Sequence, residues 1–223
     1  MVAVFLINIA NNNIAPAIVK CNRNFALLEE KQIKTKSSEM RKLVFAINMT
    51  IDGCCDHTKL GGNEEVHEYH ANLLRDVDLL VFGRKTYQLM VPFWPDVAKD
   101  HSGQTKAMNE FAQAFDSVNN IVVFSQSLER VEGRKTRIVR TNLQDEILKL
   151  KKEQGKNILT GGVSIPSQLI ELGLVDEYYF VIQPIVVGQG TRLLEGVMLE
   201  EKLNLVESKI FPSGCIALRY LKS

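Results

Sequence analysis

The sequence has few cysteines, and they suggest no metal or disulfide chemistry. The 223 residues contain four, Cys21, Cys54, Cys55 and Cys215. Their spacing matches neither a zinc site nor a redox motif. Adjacent Cys54 and Cys55 also have poor geometry for a disulfide with each other. We therefore predict a protein of the reducing cytoplasm.

The chain also lacks an excess of charge and a long apolar run. It has 27 basic and 26 acidic residues, a formal net charge of +1. Nucleic-acid and membrane-surface binding both draw on a basic excess, so we predict neither partner. Met1–Ala10 is apolar, but Asn11-Asn12-Asn13 follows it, so it is too short to span a membrane. Because no basic segment precedes it, it does not resemble a signal peptide.

The length and composition suit one domain with a full hydrophobic core. Thr35–Glu39 has the composition of a linker, and Met40 stands directly before a strongly apolar stretch. We predict a domain over residues 40–223, preceded by an extension over residues 1–39 that is disordered or not native to the domain. The alternative is an ordered arm that packs on a partner subunit.

Short apolar runs alternate with helical spacing along the domain. Buried strands are predicted at Arg41–Met49, Asp78–Phe82, Ile121–Phe124 and Asn157–Thr160, and a short strand at Thr136–Arg140. Helices are predicted at Glu64–Arg75, after Gly83, at Thr105–Phe115, at Leu143–Lys152 and after Gly162. The remaining segments are a loop at Val91–Lys99, a strand at Tyr178–Val187 with a bulge or edge position at Pro184, and a hairpin of Leu203–Phe211 with Cys215–Leu221. This order predicts an α/β fold with a mixed, mostly parallel sheet, helices on both faces and a C-terminal antiparallel hairpin.

Three of the predicted strands end in residues suited to a phosphate. Gly83-Arg84-Lys85-Thr86 offers cations, a hydroxyl and helix N-terminal amides, and Ser125-Gln126 offers a hydroxyl and an amide. Gly161-Gly162 lets bare backbone approach a diphosphate closely. Because the carboxyl ends of parallel strands gather at one edge of the sheet, the three stretches together predict a dinucleotide site. The alternative for each alone is a helix cap or a turn.

Two other groups of side chains are candidate sites. His67 and His70 lie three residues apart on one predicted helix face, where they could bind a metal ion. No third ligand matches them, so we predict no metal site and interpret them as surface histidines. Cys54 and Cys55 are either reactive thiols or, by default, packing residues.

Six stretches form an ordered series along the domain. They are MTIDG at 49–53, VFGRKTY at 81–87, VVFS at 122–125, LTGG at 159–162, GLVDE at 173–177 and QPIVVGQG at 183–190. In this order they resemble motifs of the dihydrofolate reductase superfamily, in the branch of riboflavin-biosynthesis reductase C-terminal domains. The resemblance covers Met40 to Lys222. It implies the three-layer dihydrofolate reductase-like fold, a homodimer, and an NADPH-dependent reductase of a small heterocycle, pterin- or pyrimidine-like. The alternative is a non-catalytic nucleotide-binding or sensor protein on the same scaffold.

The resemblance also implies which residues contact NADPH. Those expected at its phosphates and adenosine are Gly83, Arg84, Lys85, Thr86, Ser125 and Gln126. Those expected at the diphosphate and the nicotinamide ribose are Gly161, Gly162 and Val163, with a cis bond between the two glycines. Those expected beside the nicotinamide are Ala46, Ile51, Asp52 and Gly53. Asp52 or a bound water is the candidate proton donor.

Residues for the substrate are less defined. Dihydrofolate reductases carry a carboxylate on the first helix, after a tryptophan-containing loop, and that loop signature does not follow Gly53 here. Glu64, Glu65 and Glu68 lie on the corresponding helix, but we interpret them as solvated. No deaminase motif with zinc ligands is present either. We therefore predict a stand-alone reductase without folate activity.

Overall fold

The computed structural model of the protein describes residues 40–131 and 135–223. They form β1 (Leu43–Thr50), α1 (Glu64–Leu74), β2 (Val77–Gly83), α2 (Arg84–Met90), α3 (Trp94–Asp100), α4 (Lys106–Ser117), β3 (Asn120–Phe124), β4 (Lys135–Val139), α5 (Leu143–Lys152), β5 (Asn157–Thr160), α6 (Ser164–Glu171), β6 (Glu177–Gln183), β7 (Leu203–Ile210) and β8 (Ile216–Lys222). The prediction for residues 1–39 lies outside the described residues.

A single eight-stranded sheet organises these elements, in the order β4-β3-β2-β5-β1-β6-β8-β7. The pairs from β4 to β6 are parallel, and β8 is antiparallel to both β6 and β7. The mixed, mostly parallel sheet and its C-terminal hairpin are therefore confirmed. No helix in the described part of the chain has the length and apolar character needed to cross a membrane.

The central strand β1 divides its side chains between two helical layers. Phe45 and Ile47 belong to the apolar cluster on the face that α5 and α6 cover. Because successive side chains of a strand point to opposite faces, Ala46 and Asn48 face the layer of α1. The second layer packs residues such as Ala71 of α1 on the sheet. Helices on both faces, and hence the three layers, are confirmed.

Two sequence predictions about proline were wrong. Residues 91–99 were predicted as a loop, but α3 begins at Trp94 with Pro95 in its first turn. A proline is tolerated there because its missing N–H would have no partner within the helix. The strand predicted to run through Pro184 ends at Gln183, since proline cannot donate a hydrogen bond to the neighbouring strand.

Candidate functional site

The carboxyl ends of β3, β2, β5 and β1 lie side by side at one edge of the sheet. Gly83 pairs with Phe124, so Ser125 is the first residue beyond β3. Thr160 pairs with Val81 on one side and with Phe45 on the other. The three strand-end stretches that the sequence singled out are therefore neighbours. Their binding of a cofactor stays a prediction.

The Gly161-Gly162 turn is in direct contact with α2 and β1. Gly162 has φ +86°, and a Cβ placed on it would overlap with Oγ1 of Thr86. A Cβ on Gly161 would lie 3.4 Å from the carbonyl oxygen of Ala46. None of the peptide bonds between described residues is cis, so the expected cis bond was wrong, and the positive φ of Gly162 turns the chain instead. Position 162 can therefore hold only a residue without a side chain, whereas a Cβ at position 161 would make an ordinary van der Waals contact.

Uncommitted polar groups surround this turn. Arg84 and Lys85 are exposed. Nη1 of Arg84 donates to Oε1 of exposed Gln88 at 3.3 Å. Neither cation forms an ion pair with any residue that the structure describes, and the Thr86 hydroxyl has no hydrogen-bond partner within residues 40–131 and 135–223. Two positive charges and a hydroxyl are thus available to an anion.

The side chains of Ser125 and Gln126 form hydrogen bonds with backbone groups near the end of β3. Oγ of Ser125 accepts from the backbone N–H of Leu128 at 3.0 Å, and Nε2 of Gln126 donates to the carbonyl oxygen of Arg140 at 3.2 Å. Nη2 of Arg140 donates to the carbonyl oxygen of Leu128 at 2.6 Å. Sequence reasoning did not single out Arg140. The signal was available, because this arginine is the last residue of a predicted strand of the parallel sheet.

The carboxylate of Asp52 links the turn after β1 to the segment after β6 by hydrogen bonds. Oδ1 accepts from Thr50 Oγ1 at 2.6 Å and from Val187 N at 3.2 Å, and Oδ2 accepts from Gly188 N at 2.8 Å. Arg192 Nη2 lies 3.7 Å from Oδ2. These hydrogen bonds, that of Thr50 first, lower the pKa of Asp52 to about 2. At neutral pH the carboxylate carries no proton, which does not favour it as a donor, and its catalytic role stays a prediction.

The remaining residues of that turn are accounted for by backbone geometry. Gly53 has φ +80° and donates its N–H to the carbonyl oxygen of Thr50 at 2.9 Å. Ile51 is 63% exposed, so its side chain is open at this edge. Cys54 is buried, and burial raises the pKa of the Cys55 thiol. Both observations favour the packing interpretation of the two cysteines over the reactive one.

The prediction that His67 and His70 are surface histidines was wrong, because α1 turns both toward other side chains. Nε2 of His70 lies 2.8 Å from Oδ1 of Asn48, and the His67 ring packs 5.8 Å from the rings of Trp94 and Phe111. Burial, with His67 nearby, lowers the pKa of His70 to about 4. Because Oδ1 of an asparagine can only accept, the tautomer that fits this contact carries its proton on Nε2. No cluster of three metal-ligating side chains occurs among the described residues.

Known proteins share both the sequence pattern and this architecture. The uncharacterized protein YyaP of Bacillus subtilis (strain 168) is 29% identical over 194 residues, 83% of this chain and 97% of that protein. A putative riboflavin biosynthesis protein from Shewanella sp. PV-4 superposes with a TM-score of 0.61 at 20% identity, covering 82% of this chain and 99% of that one. A diaminohydroxyphosphoribosylaminopyrimidine deaminase/5-amino-6-(5-phosphoribosylamino)uracil reductase from Thermotoga maritima gives 0.57 at 17% identity, covering 92% and 67%.

The sequence identities of the two structural matches are low, so these matches establish a common fold and nothing more. The sequence match to a family is more specific. Residues 41–217 match the RibD C-terminal domain, and this match spans most of the chain, including every strand-end stretch of the candidate site. The protein therefore belongs to the RibD C-terminal domain family, with its dihydrofolate reductase-like fold.

Proposed function

We propose that the protein is an NADPH-dependent reductase of a small heterocyclic substrate, pterin- or pyrimidine-like. Family membership indicates an oxidoreductase of the riboflavin-pathway reductase type. The observation that carries the proposal further is the contact between Thr86 and the Gly161-Gly162 turn. It joins a side-chain hydroxyl, bare backbone and the uncommitted cations of α2 at one edge of a parallel sheet, where nucleotides bind in open α/β folds.

The residues at this edge fit a dinucleotide phosphate. A Cβ would fill the space at Gly162, so the chain there is shaped for close approach to a phosphate. The first N–H groups of α6 follow directly and have no partner within the helix. Arg84 and Lys85 would hold the 2′-phosphate that distinguishes NADPH from NADH, as an arginine does in other dinucleotide sites. Ser125 and Gln126, with Arg140 beside them, would border the adenosine.

Hydride chemistry asks little of the protein's own side chains. NADPH, when bound, supplies the hydride. The chain's part is to fix the distance and angle between the hydride donor and the substrate carbon that accepts the hydride, and to exclude bulk water. Ala46 suits a position beside a flat ring because it has only a methyl group. With Asp52 ionised and engaged, water is the better candidate for the proton that must accompany the hydride.

The acidic residues of α1 favour a pyrimidine over a folate. Glu64 and Glu68 are exposed, which confirms their interpretation as solvated. Oε2 of Glu65 accepts from the backbone N–H of Ser213 at 3.1 Å, so this carboxylate is engaged at the β7–β8 hairpin. None of the three is therefore a buried carboxylate free to pair with a pteridine ring. The homodimer and the cytoplasmic location stay predictions.

Titration with NADPH and NADH tests the cofactor. We expect NADPH to bind the full chain more tightly than NADH. The double substitution Arg84→Ala/Lys85→Ala should weaken NADPH at least tenfold, because charge-assisted hydrogen bonds are worth about 1.5–3 kcal/mol, and leave NADH nearly unchanged. Lys152→Ala is the matched control, since this lysine ends α5 at the opposite edge of the sheet. Equal losses for both nucleotides would contradict the 2′-phosphate role.

A further inference from the structure

A polar strip interrupts the apolar face that α1 covers. On this face the buried apolar side chains form two separate clusters. One, around Leu80 and Phe82, lies over β2 and β3. The other, around Val181 and Ala217, lies over β6 and β8. Between them, the carboxyl half of β1 contributes Ala46 and Asn48, a small and a polar residue where packing alone would favour large apolar ones.

The polar groups of this strip are only partly satisfied. Asn48 and His70 are both half-buried, and their one hydrogen bond joins Oδ1 of Asn48 to Nε2 of His70 at 2.8 Å. Nδ2 of Asn48 and Nδ1 of His70 make no hydrogen bond to any residue that the structure describes. Neither atom is fully buried, since Oγ1 of Thr136 is the one buried side-chain polar atom without a partner among the described residues, so both can be reached by a ligand. This bonded pair of side chains therefore has one unused donor and one unused acceptor.

Their position is next to the candidate cofactor edge. Asn48 follows Ala46 by two residues on the same face of β1, a separation of about 7 Å along the strand. The carbonyl oxygen of Ala46 is what a Cβ on Gly161 would meet at 3.4 Å. A flat ring lying over Ala46 would thus have the Gly161-Gly162 turn on one side and the Asn48–His70 pair at its end.

We propose that Asn48 and His70 bind the substrate by a lactam edge, the adjacent C=O and N–H of a pyrimidinone ring. Nδ2 of Asn48 donates to the ring carbonyl oxygen, and Nδ1 of His70 accepts from the neighbouring ring N–H. The bond from His70 to Oδ1 of Asn48 fixes both side chains in this orientation. The inference rests on the proposed reductase function and names the edge by which its substrate is held.

The protonation state of His70 agrees with this role. Its lowered pKa, about 4, leaves the ring neutral at pH 7 with a single N–H. Because that N–H is used toward Asn48, Nδ1 has a free lone pair. The competing explanation is that the pair only ties α1 to β1. A purely structural hydrogen bond would contribute to the free energy of unfolding and would not change the affinity for a ligand.

One substitution separates the two explanations. In His70→Gln, the side-chain amide nitrogen can take the place of Nε2 and keep the bond to Asn48, while the acceptor at Nδ1 is lost. The probe is 5-amino-6-(5-phosphoribosylamino)uracil, titrated by calorimetry into the full chain saturated with NADP⁺. We expect its Kd to rise at least about tenfold, with the Kd for NADP⁺ and the Tm nearly unchanged.

Controls and a second probe sharpen the outcome. His67→Gln removes the same kind of side chain from α1 and should lower the Tm without changing the Kd of the probe. 2,4-Diaminopyrimidine, which has no ring carbonyl for Asn48, should bind more weakly than the aminouracil probe. Failure to bind NADP⁺ would overturn the proposed function and the inference together. Binding of NADP⁺ with no binding of the aminouracil, or with equal Kd values in wild type and His70→Gln, would overturn the inference alone.

Discussion

Gly162→Ala is expected to weaken NADPH binding at least tenfold and to destabilise the protein. Gly162 has φ +86°, a conformation that costs a residue with a side chain about 1–3 kcal/mol. The new methyl group would also overlap with Oγ1 of Thr86, so either α2 or the turn must move. Because both would border the diphosphate, the displacement should be felt in the Kd for NADPH as well as in the free energy of unfolding.

Two further variants distinguish strain from overlap. Gly188 also has a positive φ, +72°, but a Cβ there would have nothing within 4 Å, so Gly188→Ala should show the strain alone. Thr86→Ala combined with Gly162→Ala removes the overlapping oxygen and should recover part of the stability without restoring NADPH affinity. Urea unfolding and nucleotide titration measure the two effects. A Gly162→Ala variant no less stable than Gly188→Ala would contradict the contact between the turn and α2.

Asp176→Ala is expected to cost about 3 kcal/mol of unfolding free energy. Lys151 of α5 is 6% exposed, and its ammonium group lies 2.6 Å and 2.8 Å from the two oxygens of Asp176. Oδ2 of Asp176 also accepts from the backbone N–H of Leu43 at 2.7 Å. Removing the carboxylate leaves a buried cation that keeps the carbonyl oxygen of Leu174, at 3.2 Å, but has lost its counter-charge. Breaking a buried ion pair in this way costs about 3–5 kcal/mol. We take the lower value because the Asp176 side chain is 37% exposed.

An exposed ion pair provides the matched control. Lys106 and Glu110 lie 3.4 Å apart on α4, with 90% and 40% of their side chains exposed. Glu110→Ala should cost less than about 0.5 kcal/mol, as exposed helix pairs do. Lys151→Met combined with Asp176→Ala should recover part of the loss, because no charge then remains buried. A cost for Asp176→Ala as small as that for Glu110→Ala would show that the pair does not hold α5 to the sheet.

The sequence predicted the elements that depend on local pattern. Leu143–Lys152 was predicted with the bounds that α5 has, because helical spacing and an asparagine cap act within a few residues. The gathering of Gly83, Ser125 and Gly161 at one edge was also predictable, since the carboxyl ends of parallel strands share an edge whatever their order. The loop prediction failed at α3 because proline, which breaks the interior of a helix, is favoured in its first turn.

The details of the site depend on contacts that local pattern does not contain. Asp52 binds Val187 and Gly188, which are distant in sequence and brought back by β6. His70 was interpreted as a surface residue because the sequence of α1 does not show that this helix packs against β1. The visible signal was Asn48 itself, a polar residue within an otherwise apolar central strand. A polar side chain at such a position requires a partner, and identifying that partner required the tertiary structure.

Turnover by the full chain tests the proposed reductase most directly. The protein is mixed with NADPH and, in separate reactions, with 5-amino-6-(5-phosphoribosylamino)uracil and dihydrofolate, and the loss of NADPH absorbance is followed together with the mass of the product. A reductase of this site should oxidise NADPH only when the pyrimidine is present, adding two hydrogens to it, and should leave dihydrofolate unchanged. Tight binding of NADPH without reduction of either compound would contradict the reductase and favour a nucleotide sensor on the same scaffold.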